Sequence, residues 1–482
     1  MSLSPATKAR LKIILSLLGI LVAIVGVTGW YRLFREVPQP LFDNPDDQFK
    51  YGSIAAENDA GLPYWVWVVL PRIFPEYLPG SGGYRSLGLP WEEGHELPVG
   101  FSMKTIGFPR VANNCAICHV SVYRTKPEET PHFVAAGPNH TFNVQGMIRF
   151  LSNCAADPKF NASTILGEID QVYKLDFIDK LIYRYLIIPR VKTALLARKK
   201  QFEWMNRPHW PDWGPGRDDP MNLTKYFMTN VAVDDSVGTA DFPAIWNLSI
   251  REGKNKLLNW DGATPSARSV LIDSALGIGS KPGPYFDDRM KWLEQYLKTK
   301  QAPKYPYPVN AELAASGKAV FDAQCNSCHG ISEGTRMGTL IKPEEVGTDR
   351  NRIDTWTQHA ADVANATVDK LGVHRIGLEK HEGYIAVPLD GIWLRAPYLH
   401  NGSVPNVREL LEPVENRSKL FYTGYDVYDP ANLGFDVAGD EAKRVGWKLD
   451  TAEKGNGNQG HLYGTTNTPD EKNALIEYLK TL

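Results

Sequence analysis

Cys115-Ala-Ile-Cys118-His119 and Cys325-Asn-Ser-Cys328-His329 are the two stretches on which the reading of this chain turns. Both are C-x-x-C-H, the string to which c-type haem is attached. Each cysteine forms a thioether with a haem vinyl group, and the adjacent histidine supplies the proximal nitrogen to iron. The two strings use four of the five cysteines in 482 residues; Cys154 is left over and reads as a buried thiol. Zinc would need ligands gathered from two strings far apart in the chain, without the short paired spacing of a zinc ribbon. A thioredoxin-like redox pair would want a βαβ context, which is absent. The expected cofactors are therefore two covalently bound haem c, held by Cys115, Cys118 and His119 and by Cys325, Cys328 and His329.

Working outward from the second string, Ala311 to Gln324 reads as a helix with Asn310 as its N-cap. Residues 302–310 (APKYPYPVN) form a Pro-rich linker. Residues 287–299 make an amphipathic helix with acidic residues at its start. Helices are also expected over 164–205, where Leu175, Ile178, Ile182 and Tyr185 have the spacing of one helical face and the 190s are basic. Pro- and Gly-rich loops occupy 79–100, 206–220 and 280–285. No strand-like alternation is sustained. The fold class expected is mainly α, with two cytochrome c-like haem domains and long loops. The division is 1–35 a membrane segment, 36–100 an N-terminal extension, 101–301 the first haem domain with an insertion, and 302–482 the second.

Ile13 to Trp30 is an 18-residue apolar run, close to the roughly 20 residues that cross a bilayer as a helix. Lys8, Arg10 and Lys12 precede it, Arg32 and Arg35 follow it, and Trp30 and Tyr31 suit an interfacial aromatic belt. It exceeds the usual h-region of a cleaved signal peptide, and no A-x-A-like site follows. An uncleaved anchor in the bacterial inner membrane is expected, with the body in the periplasm where haem c is attached; a cleaved signal peptide is the alternative. A second apolar patch, Leu62 to Phe74, is bracketed by Pro63 and Pro71 and is too short to span. It reads as a buried segment or an interfacial contact. The hydrophobic fraction is 43%, the charged fraction 22% and the net charge −2. These values exclude a disordered or multi-span chain and give no electrostatic case for nucleic acid as a partner.

The sixth position of each iron is usually filled by Met or His. The last methionine, Met337, lies eight residues past His329, too close to reach the opposite haem face. The distal histidines available to the second haem are His359, His374, His381, His400 and His461. His400 stands out in Leu394-Arg-Ala-Pro-Tyr-Leu-His400-Asn-Gly, between an apolar stretch and a glycine turn.

The chain resembles the bacterial di-haem cytochrome c peroxidase superfamily, closest to the branch containing the rubber oxygenases. The resemblance covers about 100–482. It rests on PAIWN (243–247), NWDG (259–262), ALGIG (275–279), the second C-x-x-C-H and LDGIWLRAPYLHNGSVPNVRELLEP (389–413). It implies that Trp260 lies between the haems and relays electrons. It implies that His400 ligates the second iron opposite His329, because the position where peroxidases keep a methionine is Val414. It also implies a structural Ca²⁺ at Asp241, with backbone carbonyls of Arg395 and Pro397. The sequence departs from the peroxidases where they keep Gln and Glu for proton transfer: the matching positions are Ser274 and about Pro284, with Asp273, Asp287 or Asp288 as substitutes. The insertion carries His132, His140 and His209 as further ligands to weigh for the first iron.

Two functions follow as expectations. One is a di-haem oxidoreductase acting on peroxide or O₂ at the first haem, with electrons from a periplasmic or membrane donor relayed through the second. The other is a non-catalytic electron-transfer cytochrome with both irons six-coordinate.

Overall fold

In the computed structural model, residues 4–482 are described apart from positions 40, 209 and 230. Helix α1 (Pro5–Leu33) starts at an N-cap, Ser4, whose side chain accepts from the Thr7 N–H, with proline at the first helical position. Its 29 residues at about 1.5 Å rise each outreach a hydrocarbon core of roughly 30 Å. None of its side chains is buried, so it is long and apolar enough to cross a membrane.

The end of α1 is fixed to the body. Arg32 makes 2.7 Å ion pairs with Asp176 and with Asp179. The Gly107 N–H donates to the Arg35 carbonyl at 2.8 Å. Gly107 has φ +73°, and a Cβ there would lie 2.4 Å from the Leu33 backbone, so only glycine lets the turn meet the helix end. Strand β1 (Glu36–Val37) pairs with β3 (Phe101–Ile106), which pairs with β4 (Phe108–Asn113); β2 (Leu62–Pro63) closes the antiparallel order β1-β3-β4-β2. The segment 36–100 thus shares a sheet with the residues that follow it. Several two-stranded pairs occur elsewhere. Sequence alternation could not reveal these strands, because they run only two to six residues and period two needs a longer stretch to show.

The Leu62–Phe74 patch resolves into β2 and the helix α2 (Tyr64–Ile73). Its Val66, Val69 and Leu70 are fully buried, so it is core. It packs with α3 (Val144–Ala156), α4 (Ala162–Val172), α5 (Phe177–Ile182) and α6 (Ile188–Gln201) around a cluster that includes Trp67, Phe150, Ile165 and Leu195. The face expected from Leu175, Ile178, Ile182 and Tyr185 is not a buried one. Leu175 is in the core, whereas Ile178 and Tyr185 are exposed and Tyr183 and Ile187 turn inward. Leu175 lies in the non-helical link before α5, which separates it from Ile178, and beyond Ile182 comes a π-helical turn at Tyr183–Ile187. It adds a residue to the turn and rotates the buried face.

The remaining helices include α7 (Ala267–Gly277), α8 (Pro284–Thr299), α9 (Ala311–Gln324) and α10 (Pro469–Leu479). Asn310 caps α9 by accepting from the Leu313 N–H, and a capping box at Thr468 and Glu471 starts α10. One core runs from Phe49 through Leu271, Phe286, Phe321 and Trp393 to Leu475, so elements on both sides of the 302–310 linker share it. Helices α9 and α10 cross at Gly317, where a Cβ would sit 1.8 Å from the Ala474 carbonyl oxygen. Gly317→Ala is expected to force the helices apart and destabilise the protein by about 1–3 kcal/mol. Chemical denaturation of the holoprotein checks this, and an unchanged midpoint would show that the crossing relaxes freely.

Candidate functional site

The first C-x-x-C-H sits on a tight turn, Cys115–Ile117, just after β4. Asn114 caps the turn through the Ala116 N–H at 2.9 Å and donates to the carbonyls of Lys50 and Gly52 at 3.1 and 3.0 Å. His119 follows, with Nδ1 3.0 Å from the Pro243 carbonyl oxygen. A carbonyl only accepts, so Nδ1 carries the proton and Nε2 is left as the free lone pair. Burial holds this imidazole down to about 4, so it is neutral and competent as a ligand.

The second C-x-x-C-H is built in the same way at the end of α9. His329 Nδ1 donates to the Val387 carbonyl oxygen at 2.7 Å, and burial again lowers its pKa. Here the opposite side is filled. The ring facing His329 is His461, with ring centres 6.1 Å apart. Two imidazoles bound to one metal ion at roughly 2 Å bring their ring centres about 6 Å apart. His461 lies at φ +47° after Gly460 at φ +79°, in a chain turn that aims its ring inward, and burial holds it down to about 3.

His400, which the resemblance assigns to this position, is placed elsewhere. It is buried, stacks on Tyr384 with ring centres 4.1 Å apart, and has Nε2 3.1 Å from the Tyr384 hydroxyl. The Asp241 N–H donates to its backbone carbonyl. His400 thus makes its side-chain contacts with Tyr384, and the imidazole whose ring centre lies 6.1 Å from that of His329 is His461. His359 and His374 are exposed, and His381 approaches Glu379 at 3.3 Å.

Trp260 lies between the segments that brace the two C-x-x-C-H histidines. Its Nε1–H donates to the Asp241 carbonyl at 3.0 Å, two residues before Pro243, which accepts from His119. Its own carbonyl accepts from the Ile385 N–H at 2.9 Å, two residues before Val387, which accepts from His329. The strand pair β5 (Arg217–Asp218) and β6 (Ala240–Asp241) holds one side of this brace.

Calcium does not fit Asp241. Its carboxyl is buried beside the equally buried Arg217, whose Nη1 donates to Asn401 O and Asn456 Oδ1 at 3.1 and 2.8 Å. Arg217 thus places a positive charge near this carboxyl. Among the described residues no cluster of three His, Cys, Asp or Glu side chains forms a metal site.

His119, Cys115 and Cys118 open onto an apolar cavity of about 910 Å³. Its wall includes Arg352 and Arg251, both with buried guanidinium N–H groups that have no partner. Such orphaned donors fit the propionate carboxylates of a haem. His132 is half exposed against Glu129, His140 is buried against Phe435 away from the cavity lining, and His209 lies outside the described residues. The cavity wall instead offers Met221 and Met228, Trp260, Ser274 and four acids, Asp59, Asp218, Asp241 and Asp273. Pro284 is the first residue of α8. Burial pushes Asp218 up to about 7 against the attraction of Arg352. Burial also pushes Asp273 up to about 6, opposed by Arg375, whose Nε is 2.6 Å away.

Asp273, one of the three acids that the sequence offers as a substitute for the missing proton-transfer residues, is the one of them that lines the cavity. Its folded pKa lies above the unfolded value near 3.9, so the folded state holds this proton more tightly. The resulting stability is full below about pH 4 and is lost as pH rises through about 6. Asp273→Asn, which cannot titrate, is expected to flatten the stability–pH curve across that window. Thermal unfolding of both proteins from pH 4 to pH 7 reads the difference; parallel curves would place the titration elsewhere.

Residues 383–422 match the RoxA-like, cytochrome c-like family. This RoxA-like stretch contains Tyr384, Val387 and His400, and a cytochrome c-like domain implies covalently bound haem c. Two curated proteins of Sinorhizobium fredii (strain NBRC 101917 / NGR234) are similar. The uncharacterized protein y4iJ is 47% identical over 120 residues, 23% of this chain and 20% of that protein. The uncharacterized protein y4iM is 28% identical over 220 residues, 40% of this chain and 49% of that protein. The chain thus spans about a fifth and about half of their lengths. The RoxA-like match supports the rubber-oxygenase-like side of the resemblance.

Proposed function

We propose that the chain is a membrane-anchored, periplasmic di-haem c-type cytochrome oxidoreductase that reduces peroxide or activates O₂ at the His119 site. The observation that carries this is an asymmetry. His329 faces His461 at ligand spacing, whereas His119 faces a large cavity whose described lining contains no second histidine.

When bound, haem c supplies a redox-active iron at each site. His119 and His329 present neutral Nε2 atoms to it, oriented by the carbonyls of Pro243 and Val387. His461 closes the second site, which suits electron storage. Trp260, between the two braces, is the relay, and a periplasmic or membrane donor feeds the second site. The apolar walls exclude water from the first. Asp273 and Asp218, with pKa values near the working pH, hold the protons that reduction of an oxygen species consumes. Helix α1 keeps the body at the inner membrane, a reading supported by its length and its unburied apolar surface. The RoxA-like family includes oxygenase haem proteins, and together with the apolar cavity this favours O₂ over peroxide.

The non-catalytic electron carrier is the second reading, favoured by Met221 and Met228, thioethers in the cavity wall. Carbon monoxide separates the two. The dithionite-reduced protein is expected to bind CO at half of its haem, with the other half spectrally unchanged. No CO binding at all would mean that both irons are six-coordinate and would sink the catalytic reading.

A further inference from the structure

We infer that the cavity beside His119 opens at the membrane surface and admits a long-chain bilayer lipid with an anionic head, tail first. The inference rests on the reading of α1 as a membrane anchor and of the His119 site as a haem site. It adds what enters that site, and from where.

The first observation is the extent of the cavity. One end is walled by Cys118, His119 and Pro243. The lining also includes Leu33 and Phe34, the C-terminal end of α1. Haem at His119 would take the part of this roughly 910 Å³ next to Cys115 and Cys118, so the inference uses the lining that reaches on to Leu33 and Phe34. Among the exposed lining residues, Phe34, Asp59, Arg190, Ala194 and Arg198 mark a mouth beside the end of α1, while Asn259 and Ser274 are exposed as well. The mouth is therefore beside the point where α1 leaves the bilayer, and the Arg32 ion pairs and the β1–β3 pairing hold it there.

The second observation is an apolar surface next to the mouth. Phe177, Ile178, Leu181 and Tyr185 are exposed on and just after α5, Phe177 and Tyr185 by about three-quarters. The same short helix carries Asp179 and is capped by Asp176, the two carboxylates that hold Arg32. An amphipathic helix tied to the end of a spanning helix, with aromatic and aliphatic side chains outward, lies in the interfacial layer of the bilayer. The chain then continues directly through Leu186 and Ile187 into the cavity wall. A molecule moving from lipid into the cavity would cross no aqueous gap.

The third observation is charge. Arg190, Ala194 and Arg198 recur at four-residue intervals, so they share one face of α6 at the mouth. Arg110, from β4, joins them. Among the described residues no carboxylate lies within ion-pair distance of these three arginines, and Asp59 at the mouth is paired instead with Lys281 at 2.5 Å. Next to this rim the wall carries an apolar stretch of Val191, Leu195, Phe202, Leu223 and Phe227, with Arg198 4.6 Å over the Phe227 ring. A cationic rim over an apolar shaft fits a single-chain amphiphile whose carboxylate stays at the rim.

The test uses the full-length, haem-loaded protein in phosphatidylcholine vesicles with a photoactivatable fatty acid bearing a mid-chain diazirine. Haem content and co-sedimentation are read on the same samples. Crosslinks are expected on Phe202, Phe227 or Leu195. Ala194→Trp, which fills the mouth, should cut them at least tenfold. The Arg190→Glu/Arg198→Glu pair should cut them similarly, and the methyl ester of the probe should label weakly. Crosslinks confined to α1 and α5, insensitivity to Ala194→Trp, or equal labelling by acid and ester would overturn the inference while the haem and membrane readings stand. Loss of haem or of co-sedimentation in the wild-type protein would overturn the parent reading, and this inference with it.

Discussion

His461→Ala is expected to convert the haem at His329 from six-coordinate low-spin to high-spin, open to CO, while His400→Ala leaves it six-coordinate. The argument is geometric. His461 faces His329 at 6.1 Å between ring centres, whereas His400 is stacked on Tyr384 and within hydrogen-bond reach of its hydroxyl. Removing His461 vacates the side opposite His329 and leaves space that water or CO can enter. Electron paramagnetic resonance of the ferric protein gives the spin state, and the CO stoichiometry of the reduced protein should double from half of the haem to all of it. His400→Ala instead removes a packed side chain, so its effect should appear in stability, at about 1–3 kcal/mol. A low-spin second site in His461→Ala, lost in His400→Ala, would reverse the assignment.

The joint change Cys325→Ala/Cys328→Ala should remove half of the covalent haem, and Cys115→Ala/Cys118→Ala the other half. Only thioethers keep haem on the chain through denaturation, so a pyridine haemochrome assay after acid–acetone extraction counts each site separately. The two losses should differ in consequence. Cys325 is the C-cap of α9, which crosses α10 at Gly317, so losing the second haem should loosen the C-terminal crossing. The first site is embedded in the turn held by Asn114, so the sheet should persist without its haem. Haem that extracts fully from the wild-type protein would contradict covalent attachment.

The haem-attachment strings could be read from sequence because covalent attachment demands fixed residue types at fixed spacing, whatever surrounds them. The amphipathic helix expected over 287–299, which runs from 284 to 299, and the Asn310-capped helix at 311–324 were legible for a similar reason: amphipathic spacing and caps are local. The distal ligand was not. His461 reaches His329 through a left-handed turn at Gly460 and His461, and nothing local to that turn announces which distant ring it will face. The string around His400 carried a stronger local signal, and it marks a buried histidine held by Tyr384. The Arg217–Asp241 neighbourhood was hidden for the same kind of reason, since Arg217 arrives there by a strand pairing that sequence spacing cannot foresee. The exposed Ile178 and Tyr185 were hidden by the non-helical link at Leu175 and by the single extra residue of a π-helical turn.

The carbonyl braces on His119 and His329 also bear on how this protein can change over time. A ligand imidazole whose Nδ1–H is held by a carboxylate gains electron-donating power that one substitution can delete. Here both partners are main-chain oxygens, of Pro243 and Val387, and no side-chain replacement removes either. With haem bound at either site, the push that its imidazole would give the iron is thereby shielded from point mutation. Selection for a different potential or reactivity is channelled into the cavity wall, where Asp218, Asp273 and Met228 can be exchanged one at a time without disturbing what holds the histidines.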